Sequence, residues 1–198
     1  MRLFNDCYKH PLPTKINAGM LIFSFPVSEE TIFHLNAKTA VAEIADNEKK
    51  AKAFISAAGK IGAIYFNCKI SCRVEVPQYY YDEKILALNV MSTCERNNIR
   101  YFYHIRKEVR AFGIALQQNE FNNGTEFRFF VFDEKDERAV FNSVEKIFTE
   151  TDGSFGNLLR KHRAWWKTFW KKSFIAIPDK SIQKYYDLSN YLFGSGSR

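Results

Sequence analysis

Phe155–Ser173, FGNLLRKHRAWWKTFWKKS, is the stretch that decides how the rest of the chain is read. Placed on a helix, Phe155, Leu158, Leu159, His162, Trp165, Trp166, Phe169 and Trp170 recur at spacings of three, four and seven, which makes one apolar stripe of an amphipathic helix. Arg160, Lys161, Arg163, Lys167, Lys171 and Lys172 fall mostly between them and give the opposite face a cationic, solvated character. All three tryptophans of the chain lie in this segment. A large aromatic side chain buries roughly 150–250 Å², so the stripe needs a large facing surface. The helix is therefore read as a joint between two bodies.

Working outward, helical periodicity continues on both sides. Upstream, Val140, Val144, Ile147 and Phe148 form a stripe that predicts a helix over 138–150, and Asp152-Gly153-Ser154 supplies a turn with a capping residue. The central helix is predicted over 154–172. Downstream, Pro178-Asp179 interrupts the chain, with Asp179 placed to cap the next helix. Ile182, Tyr185, Tyr186, Ser189, Leu192 and Phe193 then follow at helical spacing and predict a helix over 180–193. That last helix has an apolar face and little following sequence to cover it.

Before residue 138 the period changes from 3.6 to two. Gly19–Phe25, Thr31–Leu35, Thr39–Ala45 and Ile61–Asn67 read as strands. In Ile70–Val76 the residues Ile70, Cys72, Val74 and Val76 alternate with Ser71, Arg73 and Glu75, as on a half-buried strand. Lys84–Ser92, Ile99–Ile105, Val109–Gln117 and Thr125–Asp133 continue the pattern, with Asn97-Asn98 and Asn122-Asn123-Gly124 as hairpin turns. Asp46–Ala58, DNEKKAKAFISAA, reads either as a short helical excursion or as a long polar connection. Many short strands joined by turns predict an antiparallel β-sandwich over an alternating α/β sheet. The expected fold class is α+β.

The composition bounds what this fold can do. The chain has 198 residues with 46% apolar content, enough for a substantial core. Nothing in it approaches the roughly 18 consecutive apolar residues of a membrane span. A net charge of +7 raises the question of an acidic partner, but six of the cations lie on the tryptophan helix, where a solvated face is the plainer explanation. Cys7, Cys68, Cys72 and Cys94 show neither C-x-x-C pairing nor a histidine at zinc-finger spacing, so they read as free thiols. No metal site and no cofactor is expected.

Signatures of catalysis are missing as well. There is no G-x-S-x-G, H-E-x-x-H or P-loop pattern. His10, His34, His104 and His162 are scattered, and His162, on the aromatic stripe, reads as a hydrogen-bonded packing residue. Glu29-Glu30 and the group Asp133, Glu134, Asp136 and Glu137 sit in turn-like stretches where carboxylates are usually solvated. No residue of the chain is assigned a catalytic role.

The run His162-x-x-Trp165-Trp166-x-x-Phe169-Trp170-x-x-Ser173, then Ile177-Pro178-Asp179, Tyr186, Tyr191 and Gly194-Ser195-Gly196-Ser197-Arg198, resembles the passage that joins the N-terminal β-sandwich to the helical barrel in six-hairpin glycosidases. The likeness is to family-95-like enzymes, the group that includes α-L-fucosidases, with more distant similarity to the maltose phosphorylase and α-rhamnosidase groups. It is specific over about residues 160–198 and only architectural over 18–150. It implies a supersandwich-like domain over 1–137, truncated at its start, a helical linker over 138–177, and the first helix of a truncated (α/α)6 catalytic domain over 178–198.

His162, Trp165, Trp166, Phe169, Trp170, Tyr186 and Tyr191 would then be interdomain packing residues. The catalytic carboxylates would lie beyond Arg198, and the isolated chain would be an inactive fragment of a glycoside hydrolase. Carbohydrate is the implied partner, reached through the full-length enzyme. A secreted or periplasmic bacterial protein is implied too, although the opening MRLFNDCYKHPLP lacks the apolar core of a signal peptide. A rival reading is a stand-alone sandwich that binds carbohydrate, with Tyr79, Tyr80, Tyr81, Tyr101 and Tyr103 stacking on sugars, or binds another protein. No RRM or KH signature appears, and no nucleic-acid partner is expected.

Overall fold

The structure, a computed structural model, describes residues 18–75, 91–106, 110–151, 153–172 and 174–196. The expectations for Tyr79–Tyr81, Cys7, His10 and most of the strand beginning at Lys84 lie outside these residues. The described residues form, in order, β1 (Met20–Phe23), β2 (Ile32–Asn36), β3 (Val41–Asp46), β4 (Lys49–Ile55), β5 (Gly62–Phe66), β6 (Cys72–Glu75), β7 (Ser92–Arg96), β8 (Ile99–Arg106), β9 (Arg110–Phe121) and β10 (Gly124–Glu134). Three helices follow: α1 (Glu137–Glu150), α2 (Phe155–Lys172) and α3 (Lys180–Gly196). β1 pairs with β6, and the other strands hydrogen-bond in the order β2-β3-β4-β5-β10-β9-β8-β7. The pairs β1–β6, β2–β3, β3–β4, β4–β5, β5–β10, β8–β9 and β7–β8 are antiparallel, so the α+β class is borne out, and the expected antiparallel sandwich is met by one eight-stranded sheet and one two-stranded sheet.

The turns follow the sequence chemistry. Arg96 pairs with Ile99, leaving the two-residue loop Asn97-Asn98, and both asparagines have positive φ (51° and 59°). That is a type I′ turn, whose backbone twist matches the flanking strands and which asparagine tolerates. Asn47 (φ 50°) takes the same conformation in the β3–β4 loop.

The stretch Asp46–Ala58, open in sequence between helix and connection, is neither. It forms β4, with Ala51 opposite both Ile44 and Phe66, and Phe54 opposite Ala63. Glu43 and Lys52 are direct cross-strand partners joined by a 3.0 Å ion pair. Ala51 and Phe54 are both buried, and their odd and even positions place them on opposite faces. A strand covered on both faces has no clean polar alternation, and that is why its helix-forming lysines and alanines were misleading.

The chain divides into two compact units. The first comprises Met1–Ser24, Ser71–Leu116 and Val131–Val144. Its core sets Tyr101 and Tyr103, two residues apart on one face of β8, against Phe141 of α1 at ring distances of 5.0 and 6.4 Å. Val140 and Val144 are fully buried beside them on the apolar stripe of α1. The helix begins at Asp136, whose Oδ1 accepts the Ala139 N–H at 2.7 Å and so satisfies a first-turn donor.

The second unit comprises Phe25–Ile70, Gln117–Phe130 and Glu145–Arg198. β10 and β5 pair so that Gly62 faces Phe129, whose ring would lie 2.1 Å from any Cβ at that position. Only glycine leaves room for the phenyl ring there. Ser154 caps α2 by accepting the Asn157 N–H at 3.3 Å, and Asp179 caps α3 by accepting from Ser181 and Ile182 at 2.8 and 3.0 Å. Both caps fall where the sequence placed them. None of the described helices is long and apolar enough to cross a membrane.

Candidate functional site

The aromatic stripe of α2 is the most heavily built feature of the second unit. Phe155, Leu158, His162 and Trp166 are its buried residues, at spacings of three, four and four. Phe155 meets Phe54 of β4 and Tyr65 of β5 at ring distances of 5.3 and 5.5 Å. Trp166 is 0% exposed and touches His162, Phe169, Trp170 and Tyr191. The adjacent Trp165 is partly exposed and stacks on Phe169 at 5.4 Å, with its ring nearly perpendicular to that of Trp166. One tryptophan is therefore sealed, and Trp165 and Trp170 are only partly covered. Neighbouring residues on a helix point about 100° apart, so both cannot share one partner.

α2 also fixes a loop by its backbone. Residues 37–40 join β2 to β3, and Ala40 has a φ of 49°, a left-handed conformation that costs an alanine about 1 kcal/mol. His162 Nε2 lies 2.8 Å from the Thr39 carbonyl and 3.3 Å from that of Ala40, and the Trp170 indole N–H donates to the Lys38 carbonyl at 2.8 Å. Three successive carbonyls are thus held by one helix. On its other edge the imidazole accepts the Ala57 N–H at Nδ1, at 3.1 Å. Carbonyls only accept, so Nε2 carries the proton and Nδ1 does not. His162 is a neutral, sealed clamp, with the packing role read from the sequence.

α3 closes over α2 on one side only. Gly194 lies against it so tightly that an added Cβ would sit 2.9 Å from Phe169 and 3.0 Å from Trp166. Tyr191 covers the Trp166 ring at 5.8 Å, while Tyr186, one turn back, is partly exposed. The outward side carries Ile182, Tyr185, Leu188, Leu192 and Phe193, all exposed, with Tyr185 at 72% and Phe193 at 70%.

Among the described residues, two of the carboxylates singled out from the sequence take separate structural roles. Asp136 is a helix cap, and Glu137 accepts the Tyr103 hydroxyl. The deepest is Glu126, which the sequence reading did not single out. Burial raises its pKa, while the Phe155 N–H at the start of α2 and the nearby Arg128 guanidinium pull the other way. Arg128 is itself spent on the Gln117 side chain and the Thr151 carbonyl, and lies over the Phe148 ring. Glu126 is thus a buried acid beside the first turn of α2, with Arg128 two residues on along the same face of β10. Glu126 and Arg128 alternate with Phe127 and Phe129 like an exposed face, so the alternation hid them.

The thiols are equally quiet. Cys68, Cys72 and Cys94 are free and partly covered. Burial pushes the Cys72 thiol up to about 11 and raises that of Cys94, so neither is a ready thiolate at neutral pH. Among the described residues no group of three or more His, Cys, Asp and Glu side chains is placed to hold a metal ion. Tyr101 (0% exposed) and Tyr103 are buried under α1, which removes them from any sugar-stacking surface. No family model matches the chain, and no curated protein matches it.

Proposed function

We propose that this chain is the non-catalytic, N-terminal part of a carbohydrate-active glycoside hydrolase. In this reading residues 1–137 form a β-sandwich, 138–177 a linker, and 178–198 the first helix of an (α/α)6 barrel. The sequence support is the aromatic run from His162 to Trp170 with the Ile177-Pro178-Asp179 break and the glycine- and serine-rich end. The observation that carries the reading is the two-sided character of α3. One side is fitted to α2 through Tyr191 and Gly194, and the other presents an uncovered stripe from Ile182 to Phe193. The first helix of a barrel needs both sides, one for the linker and one for its neighbouring hairpin.

His162, Trp165, Trp166, Phe169, Trp170, Tyr186 and Tyr191 then serve to set the angle at which the barrel leaves the sandwich. Glycoside hydrolysis in most families takes two carboxyl groups roughly 5–10 Å apart across a sugar ring, and the barrel would supply them. The purified chain should release no aglycone from aryl α-L-fucosides, α-L-rhamnosides or glucosides above a buffer blank. Turnover abolished by changing one acidic residue within 1–198 would overturn the proposal. The gene sequence after Arg198 gives the positive arm, since it should run, in frame or after one frameshift, into further amphipathic helices bearing acidic residues. The same uncovered stripe favours a second reading, a protein-interaction module whose partner is a separate chain.

A further inference from the structure

A shallow, open groove of about 670 Å³ lies beside the clamped loop, lined by Lys38 and Thr39 of that loop, by Arg163, Lys167 and Lys171 of α2, and by the rings of Trp170 and Phe174. Its volume falls within the roughly 300–1,000 Å³ typical of small-molecule sites. None of its lining residues carries a carboxylate. Arg163, Lys167 and Lys171 recur every four residues and so stack along one side of the helix, about 6 Å apart. All three are exposed. Lys38 is only loosely paired, at 3.9 Å from Asp187, and is itself 69% exposed. Phe174 is 70% exposed, and the Trp170 ring is pinned by its bond to the Lys38 carbonyl. The site thus combines a row of cations with apolar walls and lacks side-chain acceptors for the hydroxyls of a neutral sugar, apart from the Thr39 hydroxyl.

We infer that this groove binds a small organic phosphate, with the phosphate on the lysine and arginine row and a flat or apolar body against Trp170 and Phe174. The phosphate oxygens take charge-assisted hydrogen bonds from the cations. The body supplies the contact area that a bare ion lacks. A nucleoside monophosphate, through its flat base, and a sugar phosphate, through the apolar C–H face of its ring with its hydroxyls left to water, share this chemistry. The inference stands on the groove alone and does not depend on the glycosidase reading.

Isothermal titration of the full chain with glucose 6-phosphate, adenosine monophosphate, inorganic phosphate, glucose and adenosine tests it. At least one of the two esters should bind tenfold or more tightly than inorganic phosphate and than its own neutral parent. The tighter ester names the source of the ligand. Binding should weaken at least tenfold in a Lys167→Gln/Lys171→Gln variant, which alters exposed side chains only, and should weaken as salt rises from 50 to about 300 mM because exposed charges are screened. Far-ultraviolet circular dichroism and the thermal midpoint of the variant should match the parent. The inference is overturned if neither ester binds, if inorganic phosphate binds as tightly as the esters, if the neutral parents bind equally well, or if the double variant binds like the parent.

Discussion

α2 and α3 are neighbouring amphipathic helices of similar length, 18 and 17 residues, and they end in opposite states. The stripe of α2 is sealed at Phe155, Leu158, His162 and Trp166, whereas in α3 the only buried residue is Gly194. The periodicity of a helix specifies which face is apolar and leaves open what covers it. On α2 the covering groups are a strand pair and a loop held by its carbonyls. On α3 one side of the apolar face meets α2, and the other, from Ile182 to Phe193, stays largely exposed.

The largest expected effect is at the centre of the sealed face. Trp166→Ala should cost about 3–5 kcal/mol, the usual range for removing a large aromatic from a core. A chain of this size loses roughly 2–4 °C of thermal midpoint per kcal/mol, so a differential scan reads the effect easily. Trp165→Ala, at a partly exposed ring, should cost clearly less; equal losses would break the distinction between the two tryptophans.

Next comes the contact between the helices. Gly194→Ala places a methyl group 2.9 Å from Phe169 and 3.0 Å from Trp166. Overpacking of this kind costs about 1–3 kcal/mol, partly offset by about 1 kcal/mol of helix propensity gained. A urea midpoint above the parent's would show that α3 sits more loosely on α2 than described.

Glu126 gives a pH-dependent version of the test. Its folded pKa lies above the ordinary 4.5, raised by burial, so the folded state keeps a proton that the unfolded chain releases. Its contribution to stability is fully present below pH 4.5 and is lost as the pH rises through the folded value. Glu126→Gln should therefore flatten the decline in stability over that interval, measured by urea unfolding at a series of pH values. An unchanged slope would place the carboxylate in contact with water.

The smallest effect belongs to the uncovered side. Tyr185→Lys/Leu192→Lys should change stability by no more than about 0.5 kcal/mol per site, as for surface substitutions without special contacts.

Much of this was legible in the sequence because it depends on local periodicity and local turn chemistry. The three helices, the caps at Ser154 and Asp179 and the Asn97-Asn98 hairpin all follow from neighbours along the chain. β4 was not legible, since Ala51 and Phe54 are buried on opposite faces by strands whose pairing no local pattern announces. The Glu126–Arg128 pair was hidden for the same reason. The clamp was half legible: the stripe nominates His162 and Trp170, but their acceptors at 38–40 lie more than 120 residues away in the chain.

The contrast between the helices is tested most directly by native-state hydrogen exchange resolved along the chain. Amides of α2 around Leu158–Trp166 should exchange only through opening of the whole second unit, while those of α3 around Ile182–Leu188 should exchange by local opening, at least tenfold faster. Equal protection of the two helices would contradict the account, because α3 would then be held as firmly as the joint it packs on.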